Sequence, residues 1–121
     1  MLTAKAISQL TQAIAEDGVR EICGLLLSDT ENNINFWKVP NVSCQAHSFA
    51  MSQTDTSRIY RHAARMGLRI RAIVHSHPDG VMASAYDRRE MRRSNLPWII
   101  VHLTKHGLDW RMYGEEPAGS L

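Results

Sequence analysis

Residues 68–87 read LRIRAIVHSHPDGVMASAYD. The alternation in LRIR gives way to the apolar run AIV, the pattern of a central strand that ends at the histidines. On a strand, positions i and i+2 share a face, so His75 and His77 project side by side while Ser76 faces the other way. Pro78 cannot continue a ladder, and Asp79-Gly80 is a turn pair. Ser84 then opens a helix, SAYDRREMRRS, and Asp87, three residues on, shares a face of its first turn with Ser84. A carboxylate there can meet two imidazoles presented by the strand.

Working outward, Thr3 can cap a first helix whose apolar positions Ala6, Ile7, Leu10, Ala13 and Ile14 recur at helical spacing until Gly18 ends it. EICGLLLS (21–28) is a short apolar run that suits a buried strand, and NINFWKV (33–39) returns from it after the turn signal DTENN. NVSCQAHSFAM is irregular and ends in a short strand at Phe49 to Met51. DTSRIYRHAARMG predicts a second helix with Ile59, Ala63 and Met66 on one face, Arg58, Arg61 and Arg65 on another, and Gly67 as its stop. PWIIVHL and LDWRMY are two further strands joined at KHG. The order is helix, hairpin, helix, strand, helix, two strands: an α/β (mixed α+β) single domain, with a mixed central sheet flanked by about three helices. The domain is expected over 1–113, with 114–121 as a flexible tail.

The chain has 121 residues, 44% hydrophobic and 21% charged, the balance of an ordinary globular domain. No apolar run approaches the length needed to span a bilayer, so no membrane role is expected. MLTAKAISQLTQAIAEDG has no uninterrupted apolar stretch and reads as mature protein, not a signal peptide. Two cysteines, Cys23 and Cys44, with no C-x-x-C pair, argue against a disulfide scaffold and suit a reducing, cytoplasmic compartment. The net charge of +2 hides an asymmetry: residues 1–57 hold three Lys or Arg against six Asp or Glu, and residues 58–121 hold eleven against six. Solvated helix faces explain this most simply, and docking of an acidic protein partner or a neighbouring subunit is the sharper reading. Nucleic acid is not the expected partner, because no aromatic residues interleave the arginines of DRREMRR. A homodimer stays open.

His75, His77 and Asp87 offer the ligands of an open zinc site, one ion per chain, since three protein ligands leave the fourth place to water and lower the pKa of that water toward ~7. Such a site also needs a base. Glu21 opens an otherwise apolar strand, an unusual place for a carboxylate unless it is paired or working. On a neighbouring strand it could take a proton from the water and return it to a leaving amine. Ser84 could donate to the oxyanion of a tetrahedral intermediate.

Glu21, the run His75-Ser76-His77-Pro78, and Ser84-Ala85-Tyr86-Asp87 together resemble the JAMM motif of the JAB1/MPN metalloproteases: a glutamate, a distant H-S/T-H-P, and S-x-x-D. The Cys-Gly pair after Glu21 is also like the family. The resemblance runs from about Glu21 to Tyr113, and the short length is similar to bacterial and phage members. It implies a zinc-dependent peptidase or isopeptidase, with His75, His77 and Asp87 as metal ligands, Glu21 as general acid/base and Ser84 as oxyanion stabiliser. The substrate it implies is the C-terminus of a ubiquitin-like or sulfur-carrier-like protein; a phage-tail or cell-wall peptide, or a non-catalytic interaction module, are the alternatives. Six residues separate His77 from Ser84 where the family usually has seven, and Ala83 stands where a proline or other turn residue often does. The intact Ser-x-x-Asp register predicts a tightened loop.

Blander readings accompany each of these. His62 and His106 read as surface residues, His102 as a strand residue, and His47 sits in a loop that could approach the site. Cys23 and Cys44 could join His75 and His77 in a closed structural zinc site, although Cys23 is more simply a small core residue.

Overall fold

A computed structural model describes residues 2–17, 21–43 and 48–114. Its elements run α1 (Ala4–Asp17), β1 (Cys23–Ser28), β2 (Ile34–Val39), α2 (Gln53–Met66), β3 (Arg69–Ser76), α3 (Ala85–Arg93), β4 (Trp98–Thr104) and β5 (Gly107–Tyr113). The expected element order and the mixed sheet with helices packed on it are thus present. The sheet order is β2-β1-β3-β4-β5. β3 and β4 run parallel, with α3 as the crossover, and the other pairs are antiparallel.

β1 is buried along its whole length, which is why its sequence is a continuous apolar run. Leu26 joins Ala72, Val74, Ile99 and Val101 beneath α1, whose buried stripe is Ala6, Leu10 and Ala13. Leu25 and Leu27 face the opposite side, against Ala63 and Ile59 of α2. Each such leucine contributes roughly 1.5–3 kcal/mol of burial. A bulge between Leu26 and Leu27 skips Arg71 in the pairing of β1 with β3. That extra residue reverses the side-chain alternation, so Ile70 packs with the α2 side while Ala72 packs under α1.

Four expectations are corrected. Glu21 does not open a strand: β1 begins at Cys23, and Glu21 lies two residues before it. The second helix starts earlier than Asp55, at Gln53, because Ser52 caps it and its side chain accepts from the Asp55 N–H. Met66 is exposed (62%), since the chain leaves the helix at left-handed Gly67 and the Leu68 N–H closes onto the Ala63 carbonyl. Leu68 therefore takes the apolar contact that Met66 was expected to make. Phe49 to Met51 form no strand; Met51 makes only an isolated bridge to Asn41. Of the expected tail, 114–121, all but Gly114 lies outside the described residues. Among the described residues no helix is long and apolar enough to cross a membrane.

Gly24 has a steric reason to be glycine. A Cβ there would run into the Trp37 carbonyl oxygen and lie 2.7 Å from the Phe36 ring; the ring can turn aside, but the carbonyl belongs to the backbone of β2 and cannot move without disturbing the β1–β2 ladder. Gly24→Ala is expected to destabilise the fold by about 1–3 kcal/mol, the usual cost of overpacking, seen as a lower midpoint in urea unfolding. An unchanged midpoint would show that the ladder yields at no cost.

Candidate metal centre and cleft

The ladders set the site. Cys23 pairs with His75, and the Ser76 N–H donates to the Ile22 carbonyl at 2.9 Å. Continued two residues further, the same register sets Glu21 opposite His77. Ser76, facing away from the histidines as expected, is a staple: its hydroxyl accepts from the Ile22 N–H at 2.9 Å. The Asn41 side chain holds the Glu21 carbonyl at 2.8 Å. On the other flank, the His77 N–H donates to the Val101 carbonyl at 2.9 Å. His102 places Nδ1 3.1 Å from the His77 carbonyl, so it is a strand residue acting on the backbone of His77.

The motif S-x-x-D is also a capping box. The Ser84 hydroxyl oxygen accepts from the Asp87 N–H at 3.0 Å, and Asp87 Oδ2 accepts from the Ser84 N–H at 2.9 Å. The cap fixes both side chains to the first turn of α3. Helix periodicity puts the two residues on one face; the reciprocal bonding goes beyond it. The acidic third position after a serine was the signal for it.

Around this frame four side chains converge. His75 Nε2 and His77 Nε2 lie 3.0 Å apart. Asp87 Oδ1 is 3.2 Å from His75 Nε2, and Asp87 Oδ2 is 3.1 Å from His77 Nε2. Glu21, His75 and His77 bring donor atoms within 4.8 Å of one another and form a candidate metal site. His75 is fully buried, Asp87 is 3% exposed and Glu21 4%. Phe49 stacks on the His75 ring at 4.2 Å and Trp98 meets it edge-on at 5.6 Å, fixing its plane. The ring was expected at the strand end; its aromatic walls come from distant segments and were not.

Two imidazole nitrogens facing one another and a carboxylate make a donor set suited to a metal. The two ring nitrogens are 3.0 Å apart and each meets a different oxygen of Asp87, at 3.2 and 3.1 Å, on the scale of the roughly 3.3 Å between donors of a tetrahedral ion with ligand distances of ~2.0–2.1 Å. The residues fit the group.

The electrostatics follow from the same contacts. Burial pushes the His75 pKa down, partly offset by Asp87. His77 is pushed up, first by its hydrogen bond to Asp87, against burial, with the Asp87, Glu21 and Asp79 charges adding to it. Burial alone would raise Asp87, but its bonds to His75, His77 and the Ser84 backbone outweigh that and hold it well below the ordinary carboxylate range. Cys23 shares the face of His75, yet its thiol donates to the Val39 carbonyl at 3.4 Å. Burial, then the Asp17 and Glu21 charges, push that thiol up to about 12. It behaves as a core residue beside Phe49 and Trp98. Cys44 and His47 lie outside the described residues. His62 is half-buried beside the Trp37 ring, 5.3 Å between centroids, and not a free surface residue; His106 is exposed.

A cleft of about 560 Å³ opens over these groups, lined among others by Glu21, His77, Asp79, Met82 and Ser84. The short loop from Pro78 to Ala83 forms its wall. It is tied to the far edge of the sheet, where the Tyr113 hydroxyl bonds the Val81 carbonyl and the Ala83 N–H. Nothing in the sequence joined Tyr113 to this loop.

The two histidines should titrate apart in the metal-free protein, His77 above the ordinary imidazole value of about 6.5 and His75 below it. On acidification His77 then takes its proton first, and metal affinity falls from its midpoint downward. Imidazole 15N shifts followed through a pH series check this; a reversed order would mean that the Asp87 carboxylate does not favour His77.

The family model describing prokaryotic homologues of the JAB domain matches residues 3–113. No curated protein matches the chain in sequence. Among solved structures, a protein from Desulfitobacterium hafniense is similar with a TM-score of 0.63 and 19% identity, over 86% of each chain. A protein from Salinibacter ruber has a TM-score of 0.63 and 22% identity, over 95% of this chain and 81% of its own. A JAB1/MPN domain protein from Archaeoglobus fulgidus has a TM-score of 0.56 and 21% identity, over 93% of this chain and 90% of its own. At these identities the structural likeness concerns the fold alone. With the family match over nearly the whole length, and a Glu-His-His cluster at the floor of the cleft, the chain belongs to the prokaryotic JAB domain family.

Proposed function

We propose that this protein is a zinc-dependent amide hydrolase that acts on the extended C-terminal tail of a ubiquitin-like or sulfur-carrier-like protein. The observation that carries the reading is the convergence of two ring nitrogens and one carboxylate at 3.0–3.2 Å on a cleft that also receives Glu21 and Ser84. His75, His77 and Asp87 would hold the ion. Zinc supplies Lewis acidity there and brings the pKa of water toward ~7.

The other roles fall to the chain's own groups. Glu21 brings a carboxylate oxygen within 4.8 Å of a ring nitrogen of each histidine and lines the cleft, in reach of a water at the reacting centre. Its carboxylate takes the proton of the attacking water as the new C–O bond forms, and passes it to the nitrogen as the C–N bond breaks. Ser84 accepts a hydrogen bond from the Asp87 N–H through an oxygen lone pair. Its own O–H hydrogen is thus left to donate to the developing oxyanion. His77 is held at both its N–H and its carbonyl by residues of β4, which fixes the backbone that carries its ring. The loop wall offers Asp79 and Met82 to the substrate, and the scissile bond must lie in an extended segment to reach past it.

Glu21→Gln is expected to lower turnover of a cleavable ubiquitin-like fusion by at least ~100-fold with metal content unchanged. Ser84→Ala should cost on the order of 100-fold in kcat and about 1 kcal/mol of stability through the lost cap. These are checked by initial rates, metal analysis and unfolding midpoints on the same samples. Turnover surviving in Glu21→Gln would remove Glu21 from the base role. A metal-loaded parent that hydrolyses no amide, whether linear or isopeptide, would overturn the hydrolase reading.

A further inference from the structure

Tyr113 ends β5, opposite Trp98 in the ladder, and packs against the buried cluster of Cys23, Phe49 and Trp98. Its hydroxyl donates to the Val81 carbonyl at 2.7 Å and accepts from the Ala83 N–H at 2.9 Å. Arg111, two residues earlier, lies with its guanidinium carbon 5.0 Å from the Tyr113 ring centre and donates to the Met82 sulfur at 3.4 Å. Three consecutive loop residues are therefore held by two side chains of one strand. The loop has little else to fix it. Pro78, Asp79 and Met82 are exposed, and Gly80 sits at φ 153 with open space around it. Among the described residues, the side-chain hydrogen bonds tying 78–83 to the rest of the fold come from Tyr113 and Arg111.

Ala83 directly precedes Ser84, the N-cap of α3. The position of its N–H sets where the chain enters the cap, and so where the Ser84 hydroxyl points. We propose that Tyr113 is a positioning residue of the cleft: by clamping Val81 and Ala83 it holds the short loop so that Ser84 faces the reacting centre. The hydroxyl bridges a carbonyl and an N–H of alternate residues, the pattern a neighbouring strand would otherwise supply. A loop of six residues thus gains a fixed course without a strand beside it. The kinetic part of this inference rests on the hydrolase reading; the structural part does not.

Tyr113→Phe tests it. The ring keeps its packing and only the hydroxyl is lost, while Val81 and Ala83 are partly exposed and can bond to water, so the variant should fold. On zinc-loaded protein, amide hydrogen exchange at Ala83 and Ser84 should quicken about tenfold, the scale of one lost hydrogen bond, with core amides of β1 unchanged. On a cleavable fusion, kcat should fall about tenfold while KM stays within about twofold. In a Ser84→Ala background the same change should alter kcat by less than about twofold, because the group it positions is gone. An equal loss in both backgrounds, or unchanged exchange at Ala83 and Ser84, would overturn the proposal. If the zinc-loaded parent hydrolyses no amide, the hydrolase reading fails and exchange alone decides: faster exchange upholds the clamp and unchanged exchange rejects it.

Discussion

An ionised carboxylate buried as deeply as Asp87, 3% exposed, persists only where hydrogen bonds replace the water it has lost. Asp87 has three such partners: the Ser84 N–H at the helix start and the two imidazoles of the strand end. The N-terminal end of α3 adds a favourable dipole. Most of the site follows from this one constraint. The cap cannot form unless Ser84 stands three residues before Asp87, and the histidines cannot both reach the carboxylate unless His77, one residue past the end of β3, keeps the face of His75 through its bond to the Val101 carbonyl. The loop between them must then be short enough, and sufficiently tied, to hold strand end and helix start together. The donor set is assembled by folding, so a metal would pay little ordering entropy on binding.

The sheet performs the complementary task for Glu21. That residue lies outside β1, yet the ladder continues past the strand through the Ser76 staple on Ile22. A single bond pair beyond the last paired residue sets Glu21 opposite His77. The middle residue of H-S-H thus has a structural role of its own: it anchors the segment that leads from Glu21 into β1 to the strand that ends at the histidines. Gly24 lets β2 approach β1 closely enough to keep that strand central. Core packing and site geometry are here the same contacts.

Much of this was legible in the sequence, for a physical reason. Strand parity puts His75 and His77 on one face, and helix periodicity puts Ser84 and Asp87 on one turn. Both are local rules, and the structure follows them. Where local rules ran out, the sequence was silent or misleading. The start of β1 depends on pairing with its neighbours, so the apolar run alone carries the strand back to Glu21 while the ladder begins at Cys23. Met66 obeys the periodicity of its helix but loses its contact to Leu68, because the chain reverses at Gly67. The aromatic walls of His75 come from residues 49 and 98, and the clamp on residues 81 and 83 comes from residue 113. Separations that long leave no mark on a periodicity, and only the assembled sheet brings them together.

The central claim is that His75, His77 and Asp87 form a three-donor zinc site. The most direct test is the zinc content per chain by native mass spectrometry, after reconstitution and removal of loosely held metal, for the parent and for Asp87→Asn. The asparagine can still accept from the Ser84 N–H, so the cap survives and folding is not the variable. Near one zinc per parent chain and a clear loss in Asp87→Asn is the predicted result. Full occupancy in Asp87→Asn, or no zinc in the parent, would contradict it.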